Sequence, residues 1–268
     1  MPMRFANPRA RRGLGGGIRL RKRTASAHDQ VMRGLGLAIV SGQYPAGSLL
    51  PNKELLTKQF KVSNSTLREA MQKLVAKGMI VAKTKVGTRV LEPRYWNMFD
   101  ADILDWRFEI GVDRPFLAQL FELRQTFEPM AAALMATRRT PEQLAQLTQL
   151  ARRMREADGE RQAFAEADLA FHLLVLQSSD NPFLQSIGAL IRTALAASFT
   201  MSAPADDQQR RTVSEASHEA IVEAIAARDP HAAAGAMMAV ILDGWASIGG
   251  VSETVLTHMT LREFRPGL

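Results

Sequence analysis

Helical periodicity dominates the chain from Phe116 onward, and it constrains the fold more than any other feature. Apolar residues recur there every three to four positions, with no strand-like alternation. Pro141, Pro182 and Pro230 stand where helices are expected to begin, because the first helical turn tolerates proline. The pattern predicts a mainly α protein, with an all-α bundle of six to seven helices in residues 116–250. Helices are expected near residues 116–138, 141–157, 160–178, 183–201, 209–228 and 231–247.

The preceding segment, residues 26–93, has a different pattern. Three helices are predicted in it, at residues 27–41, 52–60 and 64–77. Ser63 is a favourable N-cap for the third helix, and Gly78 is a favourable stop. The β-prone runs MIVAK and TRVLE around TKVG then predict a hairpin. Three helices followed by a hairpin are typical of a winged helix-turn-helix, whose recognition helix, here 64–77, enters the major groove of DNA.

Charge is distributed unevenly along the chain, whose formal net charge is +7. Residues 1–23 hold eight Lys or Arg and no acid, and residues 24–94 hold eleven Lys or Arg against four Asp or Glu. Residues 95–268 hold 15 Lys or Arg against 23 Asp or Glu. The basic N-terminal part is suited to a polyanion, so double-stranded DNA is the expected partner. Residues 1–25 are predicted to be a disordered basic tail, with DNA contact as the alternative, and residues 251–268 a C-terminal tail.

Composition excludes several classes of protein. The chain has no Cys, which rules out disulfides and thiolate-based zinc or nucleophile sites. No apolar run approaches the roughly 20 residues of a membrane span, and the basic N-terminus lacks the apolar stretch of a secretory signal. We therefore expect a soluble, cytoplasmic protein with no membrane partner. No nucleophile motif, phosphate-binding glycine loop or HExxH motif is present, so an enzyme is not expected.

Residues 41–90 read SGQYPAGSLLPNKELLTKQFKVSNSTLREAMQKLVAKGMIVAKTKVGTRV. This run resembles the DNA-binding domain of GntR-type bacterial transcription regulators, through its Gly-x-x-x-x-Gly-x-x-Leu-Pro lead, its Leu-Arg-Glu-Ala helix motif and its Gly-Thr-x-Val wing. The family commonly has Arg in place of Asn64 and Gly in place of Lys85, so a standard operator sequence is not expected, because Asn pairs with adenine where Arg prefers guanine. Pattern and resemblance together predict DNA contacts by Asn64, Ser65, Thr66, Arg68, Lys73, Lys85, Gly87 and Thr88.

The stretch EADLAFHLLVLQ, in the helix predicted at 160–178, carries Asp168 and His172 four residues apart. This spacing places both side chains on one face of the helix. Burying a carboxylate and an imidazole in an apolar helix is costly unless both find partners. The two residues are therefore either a structural pair, a catalytic acid–base or metal pair, or part of a ligand site.

The chain from about residue 116 to 245 resembles the effector-binding domain of the FadR branch of the same family, known as the FCD domain. The resemblance rests on three runs: ELRQTFEP, FAEADLAFHLLVLQSSDNP and SHEAIVEAIAARDPHAAAGAM. It implies that the protein forms a homodimer and that a linker at 94–115 joins the effector-binding domain to the DNA-binding domain. It also implies a divalent ion (Zn, Ni or Mn) held by Asp168, His172 and His218, and a small carboxylate effector bound by Arg124.

One expected ligand of that ion is missing. The last metal-binding His of the family falls at Val240, which cannot ligate. Either three protein ligands hold the ion, or no ion binds and the histidines and arginine hold the anion directly. WNMFDADILDW in the linker resembles sugar-acid-responsive members of the family, which implies an aldonate such as galactonate as effector. Asn181 either binds that effector or caps the next helix.

These features predict a ligand-responsive transcription regulator, in the role of a repressor that a small carboxylate releases from its operator. Two alternatives stay open: a metal-dependent enzyme, and a DNA-binding protein that responds to no ligand.

Overall fold

The computed structural model describes residues 26–111, 113–190, 192–202 and 207–249. Both predicted tails, residues 1–25 and 251–268, lie outside the described residues. The N-terminal domain consists of helices α1 (Ala27–Val40), α2 (Lys53–Phe60) and α3 (Asn64–Ala76), and strands β1 (Ile80–Lys83) and β2 (Gly87–Val90).

Local capping explains where these three helices begin. The side chains of Ser26, Asn52 and Ser63 each accept a hydrogen bond from a backbone N–H in the first turn of α1, α2 and α3. After α3 the chain turns at Gly78, which has a φ of 73° and faces the carbonyl of Tyr95 too closely to allow a Cβ. β1 and β2 then pair antiparallel. The predicted winged helix-turn-helix is therefore confirmed.

The segment predicted as a linker, residues 94–115, needs correction because it contains a helix, α4 (Ala101–Ile110). Asp100 caps its start by accepting hydrogen bonds from two backbone N–H groups of the first turn. Gly111, with a φ of 95°, ends it. The capping signals are in the sequence, but the helix is short and its apolar face is narrow, so its periodicity alone does not distinguish it from a linker.

Helix α4 is part of the N-terminal body. Ile103 and Trp106 are buried in the core that α1 and α3 form. Gly36 of α1 lies so close to the Trp106 ring that a methyl group there would overlap it. On its other side, α4 places Leu104 in a small apolar cluster with Phe116 and Leu120 of the next helix. The segment thus joins the two domains through packed side chains.

The C-terminal domain is the predicted all-α bundle. Its helices are α5 (Arg114–Arg138), α6 (Pro141–Glu156), α7 (Arg161–Ser178), α8 (Pro182–Leu190), α9 (Arg192–Ser202), α10 (Gln208–Ala226) and α11 (Pro230–Ser247). Pro141, Pro182 and Pro230 are each the first residue of a helix, as predicted. The helix expected at 183–201 corresponds to α8 and α9, which flank residue 191, a position outside the described residues.

The core of the bundle lies between α5, α7, α10 and α11, and α6, α8 and α9 cover it. Along the described ranges, none of the helices offers the long apolar stretch that a bilayer crossing requires. Within the apolar core lies a group of buried charged and polar side chains, which is unusual because charged groups are rarely buried without partners.

Candidate functional site

One candidate site is the exposed face of α3 and the wing. Asn64, Ser65 and Arg68 are exposed on α3, and Lys85 is exposed in the turn between β1 and β2. The hydroxyl of Ser63 lies 2.8 Å from that of Ser65, which orients the first turn of the helix. Exposed amide, hydroxyl and guanidinium groups at the start of a recognition helix are suited to contact base edges and phosphates.

The turn of the wing contains the position at which this chain has Lys85 in place of a glycine. Lys85 has a φ of 62°, in the left-handed region that glycine adopts without strain. Gly87 also has a positive φ, of 114°, and is exposed beside Lys85, whereas Thr88 is half-buried. A cation is therefore held at the tip of the wing in a backbone conformation that favours glycine.

Two basic residues of this face have partners inside the domain. Nζ of Lys73 lies 2.6 Å from the carboxylate of Asp29 on α1. This ion pair, together with a hydrogen bond from Ser26, lowers the pKa of Asp29 well below its usual range. Arg89 donates to the backbone carbonyl of Gly47. Lys73, which was predicted as a DNA contact, therefore lies at the side of this face that adjoins α1. Arg89 has a structural role.

The second candidate site is the polar group inside the bundle. Asp168 and His172 lie on α7, and His218 lies on α10; all three are buried. The Nε2 atom of His218 is 3.1 Å from Oδ1 of Asp168, and that of His172 is 3.2 Å from the same oxygen. The candidate ligand atoms of the three residues lie within 4.8 Å of one another. Helix packing thus brings together residues that are about 50 positions apart.

Helix α5 adds two residues to this group. Arg124 and Glu128 are one helical turn apart and are both buried, with Nε of Arg124 2.8 Å from one carboxylate oxygen of Glu128. The other carboxylate oxygen lies 2.5 Å from Nδ1 of His172. The Arg124 guanidinium also stacks over the Phe199 ring, 4.3 Å from its centroid. Glu128 was not predicted as a site residue.

These contacts decide the charges of the buried acids. Burial raises the pKa of Glu128, but Arg124 and His172 outweigh it and bring that pKa to about 2. Burial likewise raises the pKa of Asp168, but the neighbouring His172 and His218 outweigh it and hold that pKa well below its usual range. Burial lowers the pKa of His172, but the two carboxylates beside it raise that pKa overall. Both acids are therefore ionised at neutral pH.

The arrangement fits a divalent cation. His172 offers Nε2, which is buried and has no hydrogen-bond partner of good geometry among the described residues, although Oδ1 of Asp168 lies 3.2 Å away. The Nδ1 atoms face acceptors: Glu128 for His172, and the carbonyl of Ser214, 2.8 Å away, for His218. Each Nδ1 can therefore carry the proton and leave the Nε2 lone pair for an ion. Two imidazole nitrogens and a carboxylate suit zinc, nickel or manganese.

A cavity of about 280 Å³ lies against this group. Arg124, Asp168 and His218 line it, and Val240 lies in its wall, so the position at which the family has a further His does face this cavity. Most of the other lining residues are polar and belong to α9, α10 and α11 or precede α10 directly: Ser202, Asp207, Gln209, Arg210, Ser214, Ser217, Asp243 and Ser247. Phe164, Phe199, Val213 and Gly244 complete the lining. Walls rich in hydroxyl and carboxylate groups are suited to a small ligand with many hydroxyl groups.

Asn181 lies apart from this cavity lining. Its side-chain oxygen accepts a hydrogen bond, 3.0 Å long, from the backbone N–H of Phe183. This is a capping contact at the start of α8, the alternative role that the sequence allowed. We therefore remove Asn181 from the effector-binding residues.

Comparisons with known proteins agree with this architecture. Residues 27–90 match the sequence profile of bacterial regulatory proteins of the gntR family, and residues 119–243 match that of the FCD domain. The galactonate operon transcriptional repressor of Escherichia coli (strain K12) is 34% identical over 219 residues, which cover 81% of this chain and 95% of the relative.

Two further proteins are similar over most of the chain. The uncharacterized HTH-type transcriptional regulator YieP of Escherichia coli (strain K12) is 34% identical over 209 residues, covering 77% of this chain and 89% of the relative. A solved structure of Lar, which controls the expression of the Listeria monocytogenes agr system, covers 84% of this chain and 97% of its own, with a TM-score of 0.58 and 19% identity. That structural likeness supports the fold alone.

Proposed function

The chain belongs to the GntR family of bacterial transcription regulators and carries an FCD effector domain, and from this premise we propose that it is a repressor that a sugar acid releases from DNA. We propose that it binds its operator in the cytoplasm as a homodimer, since a two-fold protein matches an inverted-repeat site. It is a regulator and not an enzyme, like its relatives.

The observation that carries the effector class is the composition of the cavity. Arg124 contributes a guanidinium to the lining, and the lining also contains four serine hydroxyls and the carboxylates of Asp168, Asp207 and Asp243. A guanidinium binds a carboxylate well, and the other groups can bind a row of hydroxyls. A polyhydroxylated monocarboxylate offers both functions. The similarity to a galactonate operon repressor makes galactonate the first acid to test.

We propose that Asp168, His172 and His218 hold a divalent ion beside this cavity. When bound, the ion would supply a positive charge that attracts the oxygens of the effector. With neutral imidazoles, the fixed charges of the cluster are one positive, Arg124, and two negative, Glu128 and Asp168. A divalent cation would change the balance of this cluster from minus one to plus one. The cavity beside it, which also holds Asp207, Arg210 and Asp243, would then repel an effector carboxylate less. Effector binding should therefore weaken when the ion is removed.

We propose that α3 and the wing contact the operator, through Asn64, Ser65, Thr66 and Arg68 on the helix and Lys85, Gly87 and Thr88 on the wing. The exposure of Asn64, Ser65 and Arg68 and the Lys85 cation at the tip of the wing support this assignment. Lys73 is left out, because Asp29 neutralises it.

We propose that α4 carries the signal between the two sites. It packs on α1 through Trp106, and its Leu104 contacts Phe116 and Leu120 of α5. Arg124 lies one turn beyond Leu120 on the same helix. A ligand can shift the protein only between two states that it binds with different affinity. Here the two states would differ in how α5 packs against α4. Because α4 is packed on both sides, a shift of α5 would reorient the recognition helices of the dimer.

The test uses operator DNA isolated by in vitro selection. Fluorescence anisotropy of this DNA is followed while galactonate and related aldonates are added, with and without a chelator. We expect release of wild-type protein by an aldonate, weaker release with chelator, and binding without release for Arg124→Ala. Arg152→Ala, an exposed change on α6, is the control. If Arg124→Ala releases DNA at the wild-type acid concentration, the proposed effector site is wrong.

A further inference from the structure

Glu128 uses both carboxylate oxygens inside the bundle, one for each half of the proposed site. One oxygen accepts from Nε of Arg124 at 2.8 Å, and the other is 2.5 Å from Nδ1 of His172. The residue is 1% exposed, so no water competes for it from bulk solvent. A buried carboxylate with two charged or polar donors is rigidly placed, because leaving either donor without its acceptor is costly.

The two histidines of the cluster are oriented by different means. Nδ1 of His218 faces the backbone carbonyl of Ser214, four residues earlier on the same helix. That acceptor is present whatever the side chains are. Nδ1 of His172 faces a side chain from another helix, Glu128 of α5. Of these two Nδ1 contacts, therefore, only that of His172 depends on a side chain that a substitution can change.

We propose that Glu128 is the positioning residue of the ion site: it holds His172 with Nε2 toward Asp168 and His218, and it holds Arg124 beside the same site. This inference rests on the proposed ion site. The carboxylate of Glu128 contacts both His172, a ligand of the ion, and Arg124, which binds the carboxylate of the effector. A displacement of either residue is therefore passed to the other through two short hydrogen bonds. Glu128 touches neither ion nor effector itself.

The substitution Glu128→Gln isolates this role. An amide keeps the size of the side chain but replaces one acceptor oxygen with an NH₂ donor. Because Nε–H of Arg124 can only donate, the amide oxygen stays with Arg124 and the NH₂ group faces His172. Nδ1 of His172 must then accept, which leaves the proton on Nε2, the atom that the ion needs. Loss of an outer partner of a metal-binding histidine typically weakens metal binding by about 10–100-fold. Glu122→Gln, an exposed change on the same helix, is the matched control and should leave the affinity unchanged.

The experiment is calorimetric titration of Zn²⁺, Ni²⁺ and Mn²⁺ into the full chain, with melting temperatures of the chelated proteins measured in parallel. We expect Glu128→Gln to bind about 10–100-fold more weakly than wild type and than Glu122→Gln. Wild-type affinity in a folded Glu128→Gln protein overturns the inference while leaving the ion site in place. If wild type itself binds none of the three ions, the proposed ion site is wrong and the inference falls with it.

A second measurement covers the case in which Glu128→Gln does not fold. Long-range ¹⁵N–¹H NMR spectra of zinc-loaded wild-type protein report which nitrogen of His172 carries the proton. The inference requires a proton on Nδ1 and the ion on Nε2. The reverse assignment would show that Glu128 does not set the orientation of His172.

Discussion

Lys77, the residue that follows α3, is clamped to Asp100, the residue that precedes α4: both carboxylate oxygens of Asp100 lie 2.7 Å from Nζ. Asp102 adds a third oxygen at 2.6 Å. The side chain of Lys77 is only 11% exposed, and although burial lowers its pKa, the two carboxylates raise it overall. The recognition helix and α4 are thus joined by a partly buried ion-pair network, which supports their movement as one body.

Lys77→Met should therefore uncouple the two domains. Removal of the lysine leaves Asp100 and Asp102 facing each other without a cation, so we expect a loss of about 1–3 kcal/mol in the free energy of unfolding. Operator release should require more effector, because α4 no longer moves α3. Lys73→Met is the control: its pair with Asp29 is more exposed and should contribute under about 1 kcal/mol. Equal stability losses in the two variants would show that the clamp has no special role.

Gly36→Ala tests the packing between α1 and α4. A methyl group at this position overlaps the Trp106 ring, so the ring and α4 must shift, and we expect a loss of about 1–3 kcal/mol. Gly235→Ala in α11 is the matched control, since no atom of the described part of the chain lies within 4 Å of the added carbon. There the change should stabilise the helix by about 0.5–1 kcal/mol. Chemical denaturation measures the free energy of unfolding of both variants. If Gly36→Ala leaves that free energy unchanged, the Trp106 ring does not lie against Gly36.

The N-terminal domain was predictable from sequence because its signals are local. Ser63 begins the recognition helix and Gly78 ends the turn after it, and both are visible as single residues. Helix α4 was missed as an element because most of its stabilisation is non-local: Trp106 is buried against α1, some 70 residues away in sequence. No local pattern contains that contact.

The ion cluster was predictable only in part. Asp168 and His172 share a helix face, so their proximity follows from spacing. Glu128 also has such a signal, since it lies four residues after Arg124, but in most helices a pair of this kind is a solvated surface contact. What distinguishes this pair is burial against α7, and burial is a property of the packed bundle. Asn181 is the opposite case, because its contact is a helix cap that involves only neighbouring residues.

Arg68→Ala should weaken operator binding by about 1–3 kcal/mol if the guanidinium contacts a base, because an unmatched base edge remains. Lys73→Ala should have a much smaller effect, since that lysine already has Asp29 as its partner. Anisotropy titrations at several salt concentrations separate the two. If Lys73→Ala is the more damaging change, the face that meets DNA is rotated toward α1.

Val240→His should add the ligand that the family has and this chain lacks. Val240 lies in the wall of the cavity that Asp168 and His218 line and is 8% exposed, so an imidazole there would enter a polar environment. A fourth protein ligand should tighten Zn²⁺ binding by about tenfold or more. Val240→Asn, which is also polar but a poorer zinc ligand, controls for polarity. Calorimetric titrations that give one affinity for all three proteins would place the ion away from α11.

Acid should remove the contribution of Glu128 to stability. Its folded-state pKa of about 2 lies below its ordinary value of 4.5. A depressed pKa means that the contribution is fully present above about pH 4.5 and is lost as the pH falls toward 2. The melting temperature of chelated wild-type protein should therefore exceed that of Glu128→Gln most clearly at about pH 5–6, and the gap should narrow steadily toward about pH 3. Calorimetry across this range measures the gap. A gap that stays constant from pH 6 to 3 would mean that the carboxylate of Glu128 keeps no more charge in the folded protein than in the unfolded chain.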